Sequence, residues 1–153
     1  MSGTHSILVR MRALLVDLLR SGTSVRLEVT GHSMSPLIRG GDVVTIEPLS
    51  GRRPSLGEVV ALAPGGRLLV HRLGGWDRDR AVCRGDVAAH ADPVPSADEL
   101  LGRVTRVERG GRRVRLGLGV ERLPIALLSR VGLLRVLARL RERLRRGAAR
   151  TAR

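Results

Sequence analysis

A chain of 153 residues with 28 basic side chains against 14 acidic ones, a formal net charge of +14, is long enough for one domain with a buried core and too basic to be indifferent to anions. Its 42% apolar content excludes a disordered chain. One Trp with no Phe or Tyr excludes an aromatic core and the stacking platforms that single-stranded nucleic acids use.

Every basic residue is Arg, which holds its proton in proteins, so any general base in this chain is a histidine or a carboxylate. The surplus charge reads either as an arginine-rich composition or as attraction to an anionic membrane surface. A specific nucleic acid partner is not expected, because no recognition motif accompanies the charge. The lone Cys83, in the apolar run Ala81-Val82-Cys83, allows no internal disulfide and no metal pattern and reads as buried and structural. No cofactor is expected. No secretory signal is evident and no stretch approaches the ~18 uncharged apolar residues of a spanning helix, so the expected location is cytoplasmic or peripheral to a membrane.

In chain order, the first segment (1–22) reads as an amphipathic helix. Ile7, Leu8, Met11, Leu14, Leu15, Leu18 and Leu19 recur at helical spacing, with Arg10, Arg12 and Asp17 on the other side. Ser6 is the expected N-cap and Gly22 the stop. Packing on the domain is the favoured role for this helix, with an interfacial membrane helix as the alternative.

From 23 to 120 the pattern changes to short β runs punctuated by Gly and Pro, and the fold class is read as mainly β. Strands are expected over Val25–Thr30, Val43–Glu47, Glu58–Leu62, Leu68–Leu73, Arg80–Cys83, Gly102–Glu108 and Arg112–Leu116. Gly65-Gly66 and Gly110-Gly111 fit hairpin turns, and Gly74-Gly75-Trp76-Asp77 a further connection, with Trp76 as a lid over the sheet edge. The prolines at 93 and 95 make 88–98 a loop, with Ser96 and Glu99 spaced as a capping box.

The last segment (121–153) turns helical and basic, with Pro124 at a first-turn position and Leu133, Leu137, Leu140 and Leu144 at spacings of four, three and four. Arg130 and Arg135 interrupt it too early for a transmembrane span. A helix packed on the domain with an arginine-rich tail, or a basic amphipathic helix lying on an anionic membrane, both fit.

The stretch Thr30-Gly-His-Ser33-Met-Ser-Pro36-Leu-Ile-Arg-Gly-Gly-Asp42 places one serine on a glycine-preceded turn stiffened by proline, which exposes a hydroxyl beside backbone N–H groups. Turns are rich in these residues for local reasons, so a base must be found elsewhere. Of the four histidines, His5 lies near the N-terminus, His32 adjoins the serine with its side chain expected to point away, and His90 sits in the proline-bounded loop. His71 ends an apolar strand, Leu68-Leu-Val-His71-Arg72, where a lone histidine is more often structural than catalytic.

These residues resemble four ordered boxes of the S24/S26 serine peptidases, the superfamily of type I signal peptidases and LexA-like repressors. Gly31-His-Ser33-Met34-Ser-Pro36 with Gly41-Asp42 is similar to the first box and Gly57-Glu58-Val59-Val60 to the second. Val70-His71-Arg72 is similar to the box carrying the base, and Arg84-Gly85-Asp86 with Asp92 to the last. The resemblance spans about residues 25–108 and implies a signal peptidase/LexA-like coiled sheet. It also implies a serine endopeptidase of the signal peptidase I type that cleaves a leader or precursor peptide through an acyl-enzyme.

Carried over by position, Ser33 is the nucleophile and His71, the variant of the archaeal and endoplasmic-reticulum branch, is the general base. Asp86 or Asp92 is then the group that orients the imidazolium. Read without the resemblance, Asp86 is a turn residue after Gly85, Asp92 stiffens the turn before Pro93, and Asp42 is a structural turn aspartate outside the catalytic set. Met34 is expected to pack under the serine turn and Arg72 to hold a carboxylate or a carbonyl. Many signal peptidases carry a hydroxyl two positions before the nucleophile; here that position is Gly31.

Two alternatives accompany this reading. A self-cleaving LexA-like regulator implies a DNA-binding domain and an Ala-Gly or Cys-Gly scissile bond upstream of the serine, and the 32 residues before Ser33 show neither. A non-catalytic basic module binding RNA or a membrane surface is favoured if Ser33 and His71 lie too far apart to hydrogen-bond. The implied partners are a peptide or preprotein substrate and, through the basic terminal helices, peripheral membrane contact.

Overall fold

Helix α1 (13–20) closes on a left-handed Gly22, φ 85°, in the place the sequence marks as its stop. Thr23 N–H donates to Leu18 O and Gly22 N–H to Leu19 O, the paired bonds that satisfy the last carbonyls of a helix. The computed structural model describes residues 11, 13–87, 96–115, 117–119, 121–130 and 136. Ser6, and the leucine series 133–144, lie outside the described residues.

Among the described residues seven antiparallel strands form one sheet: β1 Val25–Glu28, β2 Val43–Pro48, β3 Val59–Leu62, β4 Leu69–Asp77, β5 Arg80–Arg84, β6 Leu100–Arg109 and β7 Arg112–Arg113. Their order is β1-β2-β6-β3-β4-β5, with β7 pairing β6. The protein is therefore mainly β, as its alternating apolar runs predict, and every expected strand is present. A 3₁₀ turn at Pro64–Gly66 joins β3 to β4, and Gly110-Gly111, both at positive φ (54° and 75°), closes the β6–β7 hairpin. A second helix, α2, covers Arg122–Arg130 and places Pro124 as its third residue.

The connection expected at Gly74-Gly75-Trp76-Asp77 is instead strand. β4 runs on to Asp77, and its register against β5 slips between Leu73 and Gly75. The glycines mark a bulge that lets the strand bend and continue rather than stop. At the other extreme β7 is two residues long.

β3 lies inside the sheet and is buried on both faces, which is why it reads as an unbroken apolar run. Its side chains alternate between two cores. Val59 and Ala61 join Val16, Leu19, Val25, Met34, Ile38, Val44, Ile46, Leu101, Val104 and Val107 on one face, where α1 also packs. Val60 and Leu62 join Leu73, Ala81 and Cys83 on the other, with Trp76 partly buried at the margin. Among the described residues no helix is long and apolar enough to cross a membrane.

Candidate active site

The turn carrying Ser33 is the β1–β2 connection, and it is folded onto the core rather than hung over it. Its neck is closed by Val29 N–H donating to Asp42 O and Gly41 N–H to Val29 O, both 2.8 Å. Met34, Leu37 and Ile38 are buried beneath it, Met34 where the sequence predicts. Asp42, buried at the foot, accepts Arg39 N–H at 2.8 Å and Arg109 Nε and Nη2 at 2.7 Å each. Burial alone would raise its pKa, but the Arg109 guanidinium and the Arg39 N–H outweigh it and hold the carboxyl below its ordinary value. Arg109 also donates to Leu37 O and Arg39 Nε to Pro36 O, so two arginines tie the turn's carbonyls. Asp42 is thus the structural turn residue expected of it.

His71 comes from β4, opposite Val60 of β3, and is 6% exposed. The β alternation puts Leu69, His71 and Leu73 on one face and Arg72 on the other. That face brings the imidazole to the serine: His71 Nε2 and Ser33 Oγ are 3.0 Å apart, an ordinary hydrogen-bond length between residues 38 positions apart in sequence. With the ring protonated on Nδ1, Ser33 Oγ–H donates to Nε2. The His32 ring lies against Gly40, where a Cβ would fall 3.3 Å from its Cε1.

Arg72, 2% exposed, donates four hydrogen bonds, the compensation that burying a guanidinium demands. Nε and Nη2 donate to Asp86 Oδ1 and Oδ2 at 2.8 and 2.9 Å, and Nη1 to Gly57 O and Gly117 O at 2.8 and 3.0 Å. Asp86, one of the two acids that the resemblance implies for orienting the imidazole, accepts Arg72 through both its oxygens. It braces β4 one residue from His71. Asp92, the other candidate, lies outside the described residues, as do His5 and His90.

Below the serine, the turn after β5 makes the closest approach of the site. A side chain at Gly85 would lie 2.7 Å from Ser33 O and 2.8 Å from Ser33 Cβ, so only glycine fits, and Val87 N–H donates to Ser33 O at 3.0 Å. Three segments therefore converge: the β1–β2 turn, β4 and the 85–87 turn. Ser33 N–H donates to no group among the described residues. Two clefts flank the sheet, about 240 Å³ lined by Glu58, Arg103 and Arg122 among others, and about 210 Å³ lined by Arg72, Trp76, Arg84 and Ala126 among others. Neither is lined by Ser33 or His71.

The second box is structural. Glu58, buried, accepts both Arg52 Nη atoms, Ser55 N–H and Arg122 Nη1. Burial alone would raise its pKa, but these donors, Arg52 foremost, hold it below its ordinary value.

A family model described as Peptidase S24-like matches residues 6–83, which includes Ser33, His71 and Arg72. The chain belongs to the Peptidase S24-like family. No curated protein matches it. Membership supports a peptidase or LexA-like self-cleaving function on a mainly β domain. In this S24-like chain the sequence reading missed the seat of Gly85 under the Ser33 turn and the contacts that the segment from 117 onward makes with the site. That segment supplies Gly117 O to Arg72 and Ile125 to a cluster with Leu37 and Leu128. Gly85 left a trace, as a glycine directly before a candidate acid; nothing local marks the contacts of 117–128.

Proposed function

We propose that this S24-like chain is a serine endopeptidase of the signal peptidase I type, with Ser33 as nucleophile and His71 as general base. The observation that carries the reading is the 3.0 Å contact between Ser33 Oγ and His71 Nε2 in a site where the imidazole is nearly buried. A serine hydroxyl is a poor nucleophile until a base takes its proton, and the imidazole is placed to take it as Oγ attacks the scissile carbonyl carbon. The imidazolium then returns that proton to the leaving amine as the C–N bond breaks, leaving an ester on Ser33. Water, deprotonated by the same nitrogen, attacks the ester carbonyl and releases the acid product.

The developing oxyanion is served by Ser33 N–H, since Gly31 brings no side chain. Asp86 acts as a positioning residue through Arg72, and Asp92 stays the candidate for orienting His71. Extended binding of the substrate is supported by β4. Leu69–His71 lie in strand beside the serine turn, paired with Val60–Leu62 of β3, so the residues at the site already run extended. A precursor peptide with small residues before the scissile bond is the test: wild type cleaves it and Ser33→Ala does not. Equal cleavage by both proteins ends the proposal.

A self-cleaving regulator is the second reading, favoured by the S24-like description of the matching family. In it the same pair cuts the protein's own chain. Incubation of the pure protein at alkaline pH, yielding a fragment at a rate independent of concentration, supports it; an intact chain removes it.

A further inference from the structure

We infer that the outward face of α2, together with Leu56, docks onto an anionic lipid surface. α2 packs on the domain through Ile125 and Ala126, 8% and 2% exposed, while Leu123 and Leu127, one turn apart on the opposite side, are 50% and 63% exposed. Leu56, 41% exposed, stands beside them: the next residue, Gly57, approaches Arg122 so closely that a side chain there would lie 2.7 Å from its carbonyl oxygen. Three leucines thus surface around the start of one helix.

The rim of this patch is basic. Arg52 and Arg122 share Glu58, and Arg53 follows, with side chains 43%, 33% and 56% exposed. From residue 122 to the end of the chain the sequence has ten arginines and one acidic residue, Glu142. The occupant must therefore accept apolar side chains at its centre and supply negative charge around them. A second copy of this chain brings like charge against like. An RNA backbone answers the charge but leaves the leucines in water, and the chain lacks aromatic platforms to hold bases. The boundary between headgroups and acyl chains of an anionic bilayer meets both demands.

The inner side of α2 is tied to the active-site region, Ile125 to Leu37 of the Ser33 turn, and Gly117 O, just upstream, to Arg72 beside His71. Docking would hold that site near the lipid surface. The inference itself does not depend on Ser33 being a nucleophile.

The test is flotation of the full chain with vesicles of phosphatidylcholine alone and of phosphatidylcholine with about a third phosphatidylglycerol. The chain is expected to float with the anionic vesicles only. Leu123→Ser/Leu127→Ser is expected to lower partitioning by about tenfold or more at unchanged Tm, since both side chains are exposed, and Leu56→Ser to lower it by less. Absence of flotation, equal flotation on neutral vesicles, or a double variant that floats as well as the parent would each overturn the inference. So would tight RNA binding by a chain that ignores both vesicles.

Discussion

Gly85→Ala puts the most direct strain on the geometry proposed for catalysis. The new methyl group would sit 2.7 Å from Ser33 O and 2.8 Å from Ser33 Cβ, where ordinary contact begins at 3.4 Å. Both neighbours belong to the rigid part of Ser33 and cannot swing aside like a flexible side chain. Either the serine turn or the 85–87 turn must yield by about 0.6 Å, at the expense of the 3.0 Å bond from Val87 N–H to Ser33 O. A misplacement near 1 Å costs about 100-fold in rate, so a shift of this size should cost roughly 10- to 50-fold. Overpacking of this kind also costs about 1–3 kcal/mol, or a Tm lowered by about 3–10 °C. The assay is the rate at which a serine-reactive peptide probe modifies the protein, taken well below both melting temperatures. Gly74→Ala serves as control, because its methyl would meet only Val82 O, at 3.5 Å. Parental labelling and an unchanged Tm in Gly85→Ala would show that Ser33 is not seated as described.

The Arg72–Asp86 pair is open to a double-mutant cycle in urea. Arg72→Met strands a carboxylate that is 0% exposed and should cost about 3–5 kcal/mol, whereas adding Asp86→Leu should recover about 2 kcal/mol or more. Strictly additive effects would mean that the two residues do not act as a unit. Acid unfolding gives a further check. Asp42 and Glu58 have folded pKa values held below their unfolded 3.8 and 4.5, so the unfolded chain binds more protons there. Their contribution is complete above about pH 5 and is lost as pH falls through the folded values. Asp42→Asn should flatten that part of the stability curve, and an unaltered slope would contradict the assignment.

The strands were legible because each alternates or runs apolar between glycines, and position in the sheet explains which pattern each shows. β3, covered on both faces, is the continuous run Val59–Leu62. The Gly74-Gly75 pair misled because glycine marks bulges as well as turns, and only pairing with β5 tells them apart. Ser33 and His71 became candidates through residue type and resemblance together: without lysine few bases were left, one of the four histidines ended an apolar strand, and the ordered boxes resembled those of the S24/S26 peptidases. What could not be read were relations across the fold. Arg72 gathers Asp86, Gly57 and Gly117 from three separate segments, and nothing in the spacing of these residues foretells it. The seat of Ile125 against Leu37 is equally non-local, since its spacing says only that α2 has a buried face.

The central claim is that His71 activates Ser33. It is tested most directly by modifying the wild-type protein and His71→Ala with the same serine-reactive peptide probe and locating the adduct by mass spectrometry. Wild type is expected to carry the adduct on Ser33, and His71→Ala to react at least about 1,000-fold more slowly, the scale on which a base in such a unit contributes. Equal labelling of the two proteins, or an adduct on another residue, would contradict the account.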